Sequence, residues 1–294
     1  MGSTDMDVSV LGLGGAEIGS EGIPQTQVDA LLNSAFDTGL NVIDMAACYG
    51  DSEEKVGRSI GHRRSELYLF TKCGHTAGFE GHDWEADIIR RTIERSLRRL
   101  RTDRVDLVML HSCETDILEA GEAITALQAA RDKGQTRFIG YSGDGDTAYK
   151  AVSSGLFDVL QTSVSIADQQ ALDRVIPLAA EKNMGVIAKR PIANAVWQAV
   201  SEEEMIEYRR PYFRRLKQLD YPFLTADGVT VMDHALRFTI SCPSVHTTIV
   251  GTAKPEHWQQ NAAVAAKGCL SEEDFESIRE RWRETADDDW DSLT

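Results

Sequence analysis

The sequence predicts an α/β fold: a (β/α)8 TIM barrel with an extra helix before the last strand and a C-terminal helix. Three observations predict it. Eight short apolar runs recur along the chain, helical stretches lie between them, and 294 residues suit such a barrel as a single domain spanning 1–294. The runs are Val8–Leu13, Leu40–Asp44, Leu67–Thr71, Val105–His111, Thr136–Tyr141, Phe157–Thr162, Gly185–Ala188 and Thr247–Val250. Each has the length of a buried strand. Between them, Gln27–Thr38, Ala86–Leu100, Ile117–Lys133, Asp168–Asn183 and Pro255–Ala266 read as amphipathic helices. In the second of these, Ile88, Ile89, Ile93, Leu97 and Leu100 follow a helical period, with arginines falling between them. Residues 192–241 are too long for one strand–helix unit and read as a loop plus an extra helix. Ser271-Glu-Glu-Asp opens a further helix through Trp282, followed by an acidic tail. No internal repeat or low-complexity linker divides the chain.

The charge balance narrows the partners. Asp plus Glu outnumber Lys plus Arg by 47 to 31, a formal net charge of −16. Such a surface repels nucleic acid and anionic membranes, so the expected partner is a small molecule. An anionic cofactor would need a locally basic pocket. No apolar run approaches the ~18 residues of a membrane span. The opening MGSTDMDVSV lacks signal-peptide features, and Met6 stands where a myristoylation signal needs Ser or Thr. Five cysteines without paired spacing point to a reducing compartment, so the expected location is cytoplasmic. Oligomeric state is left open.

The most informative stretch is LNVIDMAACYGDSEEKVG at residues 40–57. Its apolar start ends on Asp44 and passes through small residues to Tyr49-Gly50. Asp51-Ser-Glu-Glu then marks a helix start, where Asp or Ser can cap and acidic residues suit the dipole. The third predicted strand leads into Lys72, and the fourth ends on His111. In a barrel of this class the active site lies at the C-terminal ends of the strands. Taken singly, a strand-end Lys beside an Asp is more often structural, and a lone His more often a satisfied core group. Asp, Tyr, Lys and His together at consecutive strand ends are better explained by chemistry. Lys72 beside Tyr49 would favour the phenolate, Asp44 would hold Lys72, and His111 could donate to a carbonyl oxygen.

This pattern resembles the signature of the aldo-keto reductases, over nearly the whole chain from Val8 to about Ala266. The resemblance implies that Asp44, Tyr49, Lys72 and His111 are catalytic, with Tyr49 as general acid/base. It implies hydride transfer between a nicotinamide cofactor and an aldehyde, ketone or sugar, or the corresponding alcohol. Cofactor residues implied by position are Ser142 and Gln161 for the carboxamide, although Gly143 replaces the family's usual Asn. Gly251, Thr252, Lys254, His257, Gln260 and Asn261 match the adenosine-binding segment, with phosphate expected at the helix start Pro255-Glu256. Gly15, in the turn after the first strand, is expected beside the nicotinamide end.

Lys189 and Arg190 stand where the family commonly places an aromatic that stacks on the ring. They add two cations near the pyrophosphate. A Lys189 lying over the ring would disfavour the oxidised, positively charged nicotinamide; in the alternative it turns away and only Arg190 reaches phosphate. The basic set near Gly251 is weaker than an arginine clamp, and the reading leans to NADP(H), with NAD(H) the alternative.

Cys48, Cys73 and Cys113 fall beside Tyr49, Lys72 and His111 and read as filler rather than a redox or metal-binding rim. No metal site is expected. The run Tyr208–Lys217 reads as a solvated helix face before a partner or anionic-substrate surface. Substrate identity is expected in Gly74–Trp84, Cys113–Glu119 and Ala193–Phe223. Two other functions compete with the reductase. One is a cofactor-binding regulatory subunit with little turnover, as the potassium-channel β subunits of that family illustrate; the other is a barrel enzyme with different chemistry.

Overall fold

Eight parallel strands close on themselves in sequence order: β1 Leu11–Gly14, β2 Val42–Asp44, β3 Tyr68–Cys73, β4 Val105–His111, β5 Thr136–Ser142, β6 Val159–Ser163, β7 Gly185–Lys189 and β8 Thr247–Gly251. β1 pairs with both β2 and β8, which completes the (β/α)8 barrel. The structure is a computed structural model in which residues 1–287 and 290–293 are described. Asp288 and Asp289 of the expected acidic tail, and Thr294, lie outside the described residues.

Side chains alternate across each strand, so every second residue faces the barrel interior. One packed group holds the inward set: Val42, Phe70, Leu107, Met109, Val159, Ile187 and Ile249, with Met6 of the N-terminal segment among them. The opposite parity, including Ile43, Leu69, Val108, Leu110, Leu160, Val186 and Val250, packs beneath the helices. Two residues further along the inward parity come Asp44, Lys72, His111, Gln161, Lys189 and Gly251. The upper interior layer is therefore polar because the apolar filling stops one step short of the strand ends.

The helices between strands are α1 Gln25–Asp37, α2 Ser52–Ile60, α3 Ala86–Leu100, α4 Thr115–Ala120, α5 Glu122–Asp132, α6 Gly145–Ser154 and α7 Val175–Glu181. α8 Arg210–Leu219 is the extra helix, α9 Gly228–Ser241 precedes β8, and α10 Pro255–Ala265 and α11 Glu272–Thr285 follow it. Two expected helices are shorter than their apolar periodicity implies. The one expected over 117–133 is cut by Gly121, which takes φ +75 between α4 and α5. The one expected from Asp168 does not begin until Val175. Asp168 pairs with Ser165 in a bridge instead, and its carboxylate accepts the Leu293 N–H at 3.0 Å. Gln170 holds Trp290 O and Ser292 in the same way, so this segment serves as a dock for the chain's C-terminal residues.

The expected cap of α2 is also replaced. Asp51 pairs with Lys55 at 2.8 Å, while Ser52 Oγ donates to Gly15 O at 2.7 Å and ties α2 to the β1 turn. The basic run splits rather than lying on a solvated face. Tyr212, Phe213, Arg215 and Leu216 are buried, whereas Arg214 and Lys217 are exposed. Among the described residues no helix is long and apolar enough to cross a membrane.

At the opposite end of the barrel from the polar layer, Asp106 gathers three donors: Arg64 at 3.0 Å, Arg137 at 2.9 Å and the Leu69 N–H at 2.9 Å. The carboxylate is buried and both guanidiniums are about a quarter exposed. Asp106→Ala should therefore cost roughly 2–4 kcal/mol, toward the lower end for a broken buried pair because the arginines keep some water. Urea unfolding measures this, and specific activity per folded molecule should not change, since the cluster lies far from the strand C-termini.

Candidate active site

Lys72 is the most enclosed charge in the upper layer, with its side chain 1% exposed. Its ammonium donates to Asp44 Oδ2 at 2.5 Å and to Met45 O at 2.9 Å. Burial lowers its affinity for a proton, but Asp44 together with Tyr49 more than restores it, and Lys72 stays charged above the ordinary lysine range. The ammonium lies 5.2 Å from the centre of the Tyr49 ring. Tyr49 is placed by the turn after β2, where its N–H bonds Ala46 O and its own carbonyl accepts from Ser52. Gly19 of the β1 loop packs on that same carbonyl; a Cβ on Gly19 would meet Tyr49 O at 2.0 Å. Only glycine allows the two loops to approach this closely.

His111 completes the group, edge-on to Tyr49 with ring centres 5.6 Å apart. Burial, and then the Lys72 charge, hold its imidazole well below the ordinary histidine value, so the ring is neutral at neutral pH. Its Nδ1 lies 3.5 Å from Cys48 Sγ. Burial raises the Cys48 thiol, which keeps it protonated and able to donate S–H to Nδ1. Where Cys48 donates in this way, the imidazole proton sits on Nε2 and can be donated from there. Cys48 thus touches His111, while Cys73 and Cys113 are buried. Cys73 packs in the helix-facing core, opposite in parity to Lys72.

For Tyr49 the balance differs from the sequence expectation. Burial raises its phenol above the ordinary value, and Lys72 pulls it back only in part. The free protein therefore holds Tyr49 protonated, in the form a proton donor requires.

Asp44, Tyr49 and His111 line one cavity of about 660 Å3. The same cavity is lined by every position matched to a cofactor: Gly15, Ser142, Gln161, Lys189, Arg190, Gly251, Thr252, Lys254, His257, Gln260 and Asn261. Ser142 Oγ donates to Gln161 Oε1 at 2.9 Å, which aims the Gln161 amide. Gln161 Nε2 and Asn261 Oδ1 are buried without a protein partner. Such groups are costly unless a ligand satisfies them. A carboxamide oxygen suits the first and an adenine amine the second, so the residues present fit a nicotinamide dinucleotide.

Lys189 and Arg190 enter this cavity already paired. Lys189 donates to Asp144 Oδ2 at 2.6 Å, and the Arg190 guanidinium lies 3.7 Å from the same carboxylate. Asp144 also accepts from Thr162 Oγ1 at 2.8 Å and the Ser163 N–H at 2.6 Å. Burial alone would raise its carboxyl, but Lys189 and Arg190 bring it below the ordinary range. Arg190 further donates to Ser163 Oγ at 2.9 Å and to Leu293 O. Lys189 is therefore not an unpaired cation, because Asp144 offsets its charge.

Sequence reasoning missed Asp144, whose signal was the need of two adjacent buried cations for a carboxylate. It also missed Glu17 of the β1 loop, and it read Tyr208 and Arg209, which line the cavity from the segment before α8, first as a solvated face. Glu17 lies against Gly251, where an added Cβ would come within 2.0 Å of its Oε2. Among the described residues no group of three or more His, Cys, Asp or Glu could hold a metal ion.

Comparison with known proteins agrees with this geometry. The Aldo/keto reductase family model matches residues 10–283. L-galactose dehydrogenase of Arabidopsis thaliana is 28% identical over 284 residues, covering 91% of this chain and 87% of that protein. NADH-specific methylglyoxal reductase of Escherichia coli is 26% identical over 318 residues, covering 95% and 96%. The solved holo form of an aldo-keto reductase from Bacillus halodurans superposes with a TM-score of 0.81 at 25% identity, covering 95% of this chain and 94% of that one. The chain belongs to the aldo-keto reductase family and is an NAD(P)-dependent oxidoreductase acting on small-molecule carbonyls or alcohols.

Proposed function

We propose that the protein interconverts a small aldehyde, ketone or open-chain sugar and its alcohol, with Tyr49 as general acid/base. One observation carries the reading: the phenol of Tyr49, the donor face of His111 and the orphaned amide of Gln161 converge on a single cavity. When bound, the reduced nicotinamide supplies the hydride. The chain supplies the rest. His111 Nε2–H holds the carbonyl oxygen, and Tyr49 O–H delivers the proton as negative charge develops there. Lys72 stabilises the phenolate left behind, and Asp44 fixes Lys72. In the reverse direction the same phenolate accepts the alcohol proton.

The chemistry depends on a hydroxyl, not on ring packing. Tyr49→Phe should lower turnover at least ~100-fold while leaving cofactor affinity close to wild type. Steady-state rates with a good aldehyde and cofactor fluorescence titration read the two separately. Near wild-type turnover in the variant would remove Tyr49 from its role.

Lys72 tunes that hydroxyl through charge. Its ammonium is the chief charge lowering the Tyr49 pKa against burial, so removing it leaves burial less opposed and the pKa rises. For carbonyl reduction, which needs protonated Tyr49, the alkaline limb of the pH–rate profile should move to higher pH in Lys72→Met. Turnover at neutral pH should fall at the same time, because the phenolate loses its counter-charge. A limb that stays put or moves down would separate Lys72 from Tyr49.

For the cofactor, Glu17 shifts the reading away from NADP(H) and toward NAD(H). Its carboxylate lies against Gly251, beside Thr252, Lys254 and His257, the positions matched to 2′-phosphate recognition. Burial raises the Glu17 carboxyl and Arg209 draws it back in part; in its ionised form it repels a phosphate, whereas the hydroxyl of NAD(H) can donate to it. The NADH-specific relative from Escherichia coli supports the same direction. Glu17→Gln should raise NADPH affinity about tenfold relative to NADH. An unchanged affinity ratio would free Glu17 of this role.

A further inference from the structure

One of the arginines that fall between the apolar positions of α3 bridges two loops that flank Tyr49 and His111. Arg95 Nη1 donates to Ala77 O at 2.7 Å, in the loop after β3. Its Nη2 donates to Ala47 O at 3.3 Å, in the turn that carries Tyr49. Arg99, one helical turn further on, donates to the same Ala47 carbonyl at 3.3 Å. The Arg95 guanidinium also lies 4.3 Å from the centre of the Phe79 ring, which Arg91 covers at 4.2 Å.

This use of a cation is electrostatically costly. Burial weakens the hold of Arg95 on its proton, the neighbouring Arg99 charge weakens it further, and Glu53 restores only part. A guanidinium gains more from a carboxylate than from a neutral carbonyl. Arg90 and Arg91 of the same helix do pair with Asp87, and Arg90 with Glu94 as well. What Arg95 contributes is therefore position. The Ala47 N–H donates to Lys72 O at 3.0 Å, so the bonds to Ala47 O fix the other side of that residue, two positions before Tyr49. Ala77 takes φ +48, uncommon for a residue with a Cβ, and such a conformation persists only where its surroundings hold it. The loop it shapes carries His75, whose ring centre lies 5.2 Å from that of His111.

We propose that Arg95 is a positioning residue for the reaction: by bridging Ala47 O and Ala77 O it holds the Tyr49 hydroxyl and the His111 ring where both reach one carbonyl oxygen. Arg95 is not among the residues that line the cavity, so it acts through the backbone of the two loops. This inference rests on the Tyr49 reading above and adds the side chain that sets its place.

The test measures kcat with 4-nitrobenzaldehyde and NADH, and NADH affinity by fluorescence titration, in purified protein. Arg95→Met should lower kcat about tenfold with NADH affinity unchanged, because a small displacement of a reacting group is costly even when the group is present. Arg95→Lys keeps the charge, but one ammonium cannot span two carbonyls as the fork does, so it should recover only part of the loss. It carries the same test where Arg95→Met does not fold. Arg91→Met removes a cation from the same Phe79 ring without loosening either carbonyl and should leave kcat unchanged. In a Tyr49→Phe background, Arg95→Met should cost almost nothing further, since the hydroxyl it places is gone. Wild-type kcat in either Arg95 variant overturns the proposal, as does an equal loss in Arg91→Met or a full further loss in the Tyr49→Phe background. A Tyr49→Phe protein that turns over normally overturns the proton-donor reading itself, and this inference with it.

Discussion

The upper layer of the barrel depends on one buried ion pair, Lys72 with Asp44. Placing an ammonium and a carboxylate there, with side chains 1% and 6% exposed, carries a large desolvation cost that their attraction and the bond to Met45 O must offset. Such a pair contributes little net stability compared with an apolar substitute, so its value lies in position. It fixes a positive charge 5.2 Å from the Tyr49 ring, in a place where water is too sparse to screen it. The same charge helps to keep His111 neutral. One ammonium therefore acts on both neighbours, drawing the Tyr49 phenol down against burial and helping to keep the His111 ring neutral.

A second charge group organises the other half of the cavity. Asp144 draws Lys189 and Arg190 together, and Arg190 reaches on to Leu293 O. This couples the strand ends of β6 and β7 to the chain's C-terminal residues, which Asp168 and Gln170 also hold. For a protein of net charge −16, the arrangement keeps two cations in the cavity without leaving them unpaired in the interior. It also explains the departure from a stacking aromatic after β7: the position is occupied by residues that build an ion network.

Much of this was legible in the sequence for a simple reason. Parallel strands buried on both faces appear as compact apolar runs, and all eight were recognisable, with β4 at its full extent. The inward parity then carries Val42 to Asp44, Phe70 to Lys72, Met109 to His111 and Val159 to Gln161, so the site follows once the strands are placed. What was not legible depends on contacts distant in sequence. The helix expected from Asp168 begins only at Val175, because Asp168 and Gln170 hold residues near 293 instead. Asp144 acquires its importance only from Lys189, and Glu17 from Gly251. Arg95 meets the carbonyls of Ala47 and Ala77, 48 and 18 residues away, only in the folded chain. The net direction of the Tyr49 shift also escaped, because composition and spacing show that a cation is near but not how much water is excluded.

That shift offers the most direct test. The tyrosinate absorbance of wild type minus that of Tyr49→Phe, followed as pH is raised, isolates the Tyr49 phenol in the free protein. The account predicts a midpoint above the ordinary ~10, moving further up when Lys72 is replaced by Met. A midpoint below ~10 in wild type would contradict it, since Lys72 would then dominate burial and Tyr49 would not be held protonated in the way described.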